Sequence, residues 1–158
     1  MNATVISHLA PAENIAGGLV LHHIGIVVPQ IHPVLEGFAA SIGAQPDSKI
    51  IYDPLQQVSV AFLRGRAPGP TVELIEPAAG NCPVSTLARS GGGLHHLCYE
   101  VNDLEAELET ARSHGGIVVR KPVPAVAFGG RRIAWVFTRY KLLVEFLEQR
   151  YSAETSNL

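Results

Sequence analysis

Several features that mark particular classes of protein are scarce or missing in this sequence. Its two cysteines, Cys82 and Cys98, have the spacing of neither a disulfide framework nor a metal-binding pair, which favours a reducing, cytoplasmic location. Lysine and arginine form no run and the formal net charge is −2, so we expect no nucleic-acid partner. No apolar stretch approaches the roughly 20 residues of a membrane span. With no such stretch, we expect no membrane partner. Residues 1–18 lack the basic and apolar regions of a signal peptide and end in Ala-Gly-Gly, so we expect a loosely held leader.

The sequence does contain an internal repeat. The motif Leu-His-His-Ile-Gly-Ile-Val-Val at 21–28 returns as Leu-His-His-Leu-Cys-Tyr-Glu-Val at 94–101, with an offset of 73 residues. The motif Val-Glu-Leu-Ile-Glu at 72–76 returns as Val-Glu-Phe-Leu-Glu at 144–148, with an offset of 72 residues. Because two unrelated motifs recur at almost the same offset, the sequence contains two copies of a unit of about 70 residues.

Each copy has the pattern of a β-α-β-β-β module. Alternating and β-branched apolar runs predict the strands, whereas a helical stripe that ends at glycine predicts each helix. The expected division is a leader at 1–18, a first module at 19–80, a linker at 81–93 with a short helix, a second module at 94–150 and a tail at 151–158. We predict strands at 19–28, 50–52, 57–63, 71–76, 94–101, 117–120, 132–138 and 142–147, helices at 33–42 and from Asn102 or Asp103 to Gly115, and a long loop at 122–130. The predicted fold class is α+β, with two tandem modules. Because a single module leaves one sheet face exposed, we expect the curved mixed sheets of the two modules to share a core, around a metal cleft.

The repeat places two histidines and two glutamates at equivalent positions: His23, Glu73, His96 and Glu145. A single strand histidine is more often a hydrogen-bonded core residue, but a carboxylate within an apolar strand is costly unless it is paired or coordinated. That this cost recurs at equivalent places favours a divalent transition metal such as cobalt, nickel, zinc or manganese. The pattern alone leaves open which histidine of each pair binds. Strand alternation would change the answer for the glutamates as well. If His22 and its counterpart pointed into the site, the inward-facing positions of the glutamate-bearing strands would have to shift by one residue.

Other residues admit two interpretations. Arg131 and Arg132 follow the predicted 122–130 loop, where they would either contact the phosphates of a thioester carrier or begin a solvated strand. Trp135 and Phe137 share a strand face with a core isoleucine, so we expect core residues rather than a substrate platform.

Six motifs in order resemble the vicinal oxygen chelate superfamily, which includes glyoxalases, bleomycin resistance proteins and dioxygenases. They are Leu-His-His-Ile-Gly-Ile-Val-Val, Val-Ala-Phe-Leu, Val-Glu-Leu-Ile-Glu-Pro, Gly-Leu-His-His-Leu-Cys-Tyr-Glu-Val, Gly-Gly-Arg-Arg-Ile-Ala-Trp and Leu-Val-Glu-Phe-Leu-Glu, between 21 and 149. The sequence is most similar to the methylmalonyl-CoA epimerase branch, and then to glyoxalase I. The resemblance implies paired βαβββ modules, a homodimer, and a metal bound by the second histidine of each pair together with both glutamates.

The expected function follows from this resemblance. It is a metal-dependent isomerase or epimerase that takes an α-proton from a small-molecule acyl thioester, on CoA or another carrier, with Glu145 and Glu73 as proton acceptors. In the epimerase branch, a Pro-Glu-Gln-Gly stretch supplies one of two opposed bases, but Leu55 stands at that glutamate here. The alternatives are a glyoxalase I-type lyase, a ring-cleaving dioxygenase, whose usual ligand set has three members, and a non-catalytic binding protein of the drug-sequestering kind.

Overall fold

Nine strands form one mixed sheet in the part of the chain that the structure describes, residues 19–80 and 82–149 of a computed structural model. The strands are β1 Val20–Val27, β2 Ala44–Pro46, β3 Ile51–Asp53, β4 Val58–Gly65, β5 Thr71–Pro77, β6 Gly93–Val101, β7 Ile117–Pro124, β8 Arg132–Phe137 and β9 Leu143–Glu148. The helices are α1 Leu35–Ser41, α2 Ser85–Arg89 and α3 Leu104–Ser113. No helix in these two ranges is long and apolar enough to cross a membrane.

The two repeats occupy the two halves of this sheet. The strand order is β2-β4-β5-β1-β6-β9-β8-β7, with β3 also paired to β4. In each half the first strand pairs in parallel with the last, as β1 does with β5 and β6 with β9. The two halves meet where β1 and β6 pair antiparallel. The predicted α+β class with paired βαβββ modules is confirmed, and the first module also contains the three-residue strand β2, which the sequence did not indicate.

Helices α1 and α3 cover one face of the sheet. Ala39 of α1 belongs to a buried cluster with Leu74 of β5, and Leu108 of α3 belongs to a second cluster with Phe146 of β9. Because successive strand residues point to opposite faces, the glutamates that neighbour Leu74 and Phe146 point away from these helices. The third core cluster, on that other face, surrounds the candidate site.

Two predicted features differ in the structure, and two more lie outside the described residues. The predicted 122–130 loop is wrong, since β7 continues through Pro124 and a single 3₁₀ turn follows at Val126–Phe128. Pro122 is tolerated there because, among the described strands, β7 lies at the edge of the sheet and pairs with β8 alone. Phe137, expected in the core, is 40% exposed. The leader at 1–18 and the tail at 151–158 lie outside the described residues.

The cap of α3 is Asp103, one of the two residues proposed for it. The Asp103 carboxylate accepts a hydrogen bond from the backbone N–H of Ala106 at 2.9 Å. This bond satisfies one of the amide groups that have no partner within the first turn of a helix. Helix α3 is thereby fixed at the end of β6, the strand that carries His96.

Candidate metal and active site

The four predicted ligands lie in two adjacent rows that cross the middle of the sheet. Residues in a row face one another across paired strands, so their side chains project from the same face. One row contains Glu73 of β5, Gly25 of β1 and His96 of β6, and the next contains His23 of β1, Cys98 of β6 and Glu145 of β9. Strand register thus brings together residues that are far apart in the sequence. No more than 6% of any of the four candidate ligands is exposed.

The donor atoms of these side chains converge. The Nε2 atoms of His23 and His96 are 2.9 Å apart. An oxygen of Glu73 lies 3.3 Å from the first and 3.5 Å from the second, and an oxygen of Glu145 lies 3.1 Å and 3.4 Å from them. Bonds of about 2.0–2.2 Å to a tetrahedral cation place its ligands about 3.3–3.6 Å apart. Donor atoms of His23, His96 and Glu145 all lie within 4.8 Å of one another, which suits a divalent cation, whereas Glu73 approaches the two histidines from outside this group.

A glycine makes room for this arrangement. A Cβ atom on Gly25 would lie 2.1 Å from Cε1 and 2.2 Å from Nδ1 of the His96 ring, so no other residue fits here without moving that ring. In the second repeat the equivalent position is Cys98, which is fully buried beside Glu145. Burial and the Glu145 charge raise the pKa of the Cys98 thiol well above its usual value, so this side chain stays uncharged.

The first histidine of each pair contacts the second. The Nδ1 atoms of His22 and His23 are 2.9 Å apart, as are those of His95 and His96. With Nδ1 engaged in this way, Nε2 of His23 and His96 is the atom that faces the carboxylates. Sequence reasoning assigned no role to His22 and His95, although each stands beside a candidate ligand in the repeated motif. A neighbour that holds the second ring nitrogen of a ligand histidine fixes its tautomer and orientation.

Charge pairing at the centre is strong. Burial alone would lower the pKa of His23, but Glu73 and Glu145 outweigh it and raise the pKa to about 10. Burial would raise the pKa of Glu145, but hydrogen bonds from His23 and His96 hold it well below its usual range. Burial and the charge of His96 lower the pKa of His95 to about 4, so His95 is neutral at pH 7. The cluster without a cation therefore holds at least one proton, which a cation would displace.

A cavity of about 270 Å³ opens on this centre. Its walls are mainly apolar, with Val58, Val60 and Ile75 on one side and Ile133 and Trp135 on the other. Trp135 was expected in the core, but it lines this cavity and meets the His96 ring edge-on, with centroids 4.7 Å apart. Phe128 stacks on the His23 ring at 5.5 Å. An apolar chamber with a few convergent polar groups is the usual form of a small-molecule site.

Leu55 does not contribute to this cavity. It is 50% exposed and lies outside the cavity lining. Asp53 does line the cavity, but one of its oxygens accepts the backbone N–H groups of Leu55 and Gln56, and the other accepts that of Val126. Among the described residues that line the cavity, Glu73 and Glu145 are therefore the acidic residues whose oxygens face the histidines and not backbone amides.

The two arginines that the sequence left open both have carboxylate partners. Arg131 pairs with Glu100 of β6, and Arg132 pairs with Glu105 of α3 and Glu148 of β9. These ion pairs join the start of β8 to β6, α3 and β9, a structural role that neither interpretation included.

Comparison with known proteins identifies the family. The family model described as the glyoxalase/bleomycin resistance protein/dioxygenase superfamily matches residues 22–135. The chain belongs to this superfamily. A relative in Cereibacter sphaeroides, named ethylmalonyl-CoA/methylmalonyl-CoA epimerase, is 25% identical over 118 residues, which span 73% of this chain and 86% of the relative.

Solved structures share the superfamily fold. A hypothetical protein from Bacillus halodurans has a TM-score of 0.74 and 28% identity, and the match covers 87% of this chain and 99% of the other. A methylmalonyl-CoA epimerase from Mycobacterium tuberculosis has a TM-score of 0.72 and 22% identity, with 90% of this chain and 94% of the other covered. The resemblance to the superfamily and to the epimerases within it is thus confirmed.

Proposed function

We propose that this member of the superfamily is a metal-dependent isomerase or epimerase that removes an α-proton from an acyl thioester of the methylmalonyl-CoA kind. The observation that carries the proposal is that Nε2 of His23 and of His96 lie 2.9 Å apart, with an oxygen of Glu73 and one of Glu145 each 3.1–3.5 Å from both, beneath an apolar cavity. A drug-sequestering binding protein has no need of four buried ligand-type side chains at this cost. The epimerase names of its relatives support the same reaction class.

Each residue has a separate task in this reaction. His23 and His96 would hold the cation through Nε2, and their partners His22 and His95 keep the rings oriented. When bound, the cation supplies a Lewis acid that stabilises negative charge developing on a substrate oxygen. Glu145 accepts the α-proton, because its oxygen lies at the centre and its side chain lines the cavity that would hold the substrate. Glu73 shares the binding of the cation and the return of the proton.

The exposed position of Leu55 limits how the proton returns. In the epimerase pattern a glutamate at this position would serve as an opposed base, but here that position carries no acid and lies outside the cavity. Removal and return of the proton therefore both fall to Glu145 and Glu73. A single carboxylate pair of this kind also suits a glyoxalase I-type isomerisation, which we retain as the second candidate because the ligand set is His/Glu/His/Glu.

Exchange of the α-proton in deuterated water tests the proposal. The protein loaded with Co²⁺ or Zn²⁺ should exchange the α-proton of methylmalonyl-CoA or propionyl-CoA, and Glu145→Gln should slow exchange by about 10²–10⁴-fold because the proton acceptor is gone. Glu109→Gln, on the exposed side of α3, is the control and should exchange at the wild-type rate. Unchanged exchange in Glu145→Gln would remove this residue from the mechanism. Turnover of a glutathione hemithioacetal without thioester exchange would favour the second candidate.

A further inference from the structure

A β-bulge in β1 turns His22 towards the same side of the sheet as His23. The pairing of β1 with β6 skips one residue between Leu21 and His23, so His22 is the extra residue of the bulge. The rings of His22 and His23 both contact Phe128, each with ring centroids 5.5 Å apart. Bulges of this kind re-aim a side chain next to a functional site. Strand alternation alone would have placed the two histidines on opposite faces.

Cys98 supplies a third donor to this histidine pair. It faces His23 across β1 and β6 and is fully buried. A ring nitrogen of His22, a ring nitrogen of His23 and Sγ of Cys98 all lie within 4.8 Å of one another. The Nδ1 atoms of the two histidines are 2.9 Å apart. Two imidazole nitrogens and a sulfur this close together are a donor set for one cation.

The second repeat lacks this donor set. His95 occupies the equivalent bulge in β6, and its ring contacts that of His96 in the same way. The residue that faces His96 across the two strands is Gly25, which has no side chain to offer. The thiol therefore distinguishes the two histidine pairs, and the pair at His95 is an internal reference for the pair at His22.

The charges around the thiol favour a cation. Cys98 lies between His23 and Glu145 in one row of the sheet, so a carboxylate stands beside the sulfur. The charge of Arg131 also reaches this group, but Arg131 is paired with a carboxylate, that of Glu100. A second cavity, of about 640 Å³, is lined by His22. This cavity gives a cation access to the group from the side of His22.

We propose that His22, His23 and Cys98 form a second cation site, which takes a soft, thiophilic cation of the Cu⁺ type. Thiolate and imidazole ligands select such cations, whereas the carboxylates of the four-residue centre (His23, Glu73, His96 and Glu145) favour harder divalent ions. The cation replaces the thiol proton, which passes to solvent, because a coordinated thiol is deprotonated. Since His23 belongs to both groups of donors, a soft cation here competes with the binding of a divalent cation at the four-residue centre.

Binding of Ag⁺ to the full chain in chloride-free buffer tests this site, since Ag⁺ is a redox-stable substitute for Cu⁺. The chain has two cysteines, so Cys82→Ala leaves Cys98 as its one thiol, and Cys82→Ser serves if that variant does not fold. Calorimetry should show one tightly bound Ag⁺ per chain, with the ultraviolet absorption of a metal–thiolate bond. Adding Cys98→Ala should weaken Ag⁺ binding by about 10²-fold or more, because the soft ligand is gone. Absence of tight binding in the Cys82 variants would overturn the proposal.

Histidine variants in the Cys82→Ala background locate the bound ion, with circular dichroism to establish that each is folded. His22→Leu removes one imidazole and should weaken Ag⁺ binding by about tenfold or more. His95→Leu is the matched control, because it makes the same change in the pair that has no thiol, and it should retain the Ag⁺ affinity. Equal affinities of these two variants would overturn the proposal. His96→Gln removes a donor of the four-residue centre alone and should also retain Ag⁺. Loss of Ag⁺ from this folded variant would place the ion at that centre and overturn the second site.

Exchange of the α-proton in the same samples separates this site from the proposed function. Ag⁺ binding that depends on His22 and Cys98 in a protein without exchange would leave the cation site standing and remove the proposed reaction. Normal exchange together with Ag⁺ binding that ignores Cys98 would do the opposite. If both hold, Ag⁺ should inhibit exchange by the Zn²⁺-loaded Cys82→Ala protein, and the variant that also carries Cys98→Ala should resist this inhibition.

Discussion

At the scale of single residues, the candidate site depends on side chains that the sequence pattern marks only indirectly. The duplicated histidines and glutamates could be recognised, because each recurs at an equivalent place in two copies. The role of Gly25 could not, since it becomes visible only when the antiparallel register of β1 and β6 places it against His96. The contacts of His22 and His95 with their neighbours likewise depend on ring orientations that strand alternation does not specify.

Replacing Gly25 tests the close approach of the two strands. Gly25→Ala should displace the His96 ring, because the new Cβ would lie 2.1 Å from it, and should weaken divalent-cation binding by about tenfold or more. Gly37→Ala, in helix α1, is the control, since a Cβ added there would have nothing within 4 Å of it. The control should bind the cation normally and gain about 0.5–1 kcal/mol of stability. Equal cation affinities by calorimetry would contradict this role of Gly25.

The histidine pairs provide a second test at this scale. His22→Leu removes the Nδ1 acceptor beside His23 and should lower cation affinity by about 10–100-fold, whereas His22→Asn retains an acceptor and should lower it less. Calorimetric titration with Zn²⁺ measures both. The exposed His32→Leu substitution should have no effect. A loss of affinity that is the same for Leu and Asn would show that the ring is needed for packing and not as an acceptor.

At the scale of secondary-structure elements, the predicted order was largely correct and the errors lie at the sheet edge. The sequence predicts a strand at 117–120 and a Pro/Gly-rich loop at 122–130, but β7 runs through Pro122 although proline removes a ladder hydrogen bond. An edge strand with register shifts accommodates it, and the pairing of Val123 with Ile133 continues beyond it. The consequence is functional, since the 3₁₀ turn that follows the extended β7 brings Phe128 to the cavity.

Asp53 connects β3 to this 3₁₀ turn and so joins elements from the two repeats. Asp53→Asn would replace the oxygen that accepts the Val126 N–H with a donor, leaving that buried contact unsatisfied. We expect a loss of about 1–3 kcal/mol in the free energy of unfolding and faster hydrogen exchange of the Val126 amide. Asp47→Asn, at an exposed pair with Arg64, should change the stability little. Unchanged exchange at Val126 would contradict this contact.

At the scale of the whole molecule, the sequence could indicate two modules but not how they join. The antiparallel pairing of β1 with β6 unites both halves in one sheet, and it depends on a register that involves residues 73 positions apart. No local pattern encodes such a register, because it is set by the fit of both faces at once. The homodimer remains a proposal, supported by the exposed Ile117 and Val119 on the last strand. Light scattering should give about twice the chain mass of 16.9 kDa.

The stability of the metal-free protein should depend on pH in a bell-shaped manner. His23 has a pKa of about 10 when folded and 6.5 when unfolded, so its stabilising effect is complete below pH 6.5 and is lost as pH rises towards 10. His95 has the opposite shift, to about 4, so stability is lost as pH falls from 6.5 towards 4. Urea unfolding should therefore show a maximum near pH 6.5. Zn²⁺ should flatten the alkaline limb, whereas a steady rise from pH 5 to pH 9 without metal would contradict the pairing.

We propose that the two repeats each supply one imidazole and one carboxylate to a shared cation. Anomalous diffraction from crystals of the Co²⁺-loaded protein tests it most directly. We expect one strong peak per chain, at about 2.0–2.3 Å from Nε2 of His23 and His96 and from an oxygen of Glu73 and Glu145. A peak held instead by His22, His23 and Cys98, the other group of donors that lies close together, would contradict the claim, as would the absence of any peak between the four side chains.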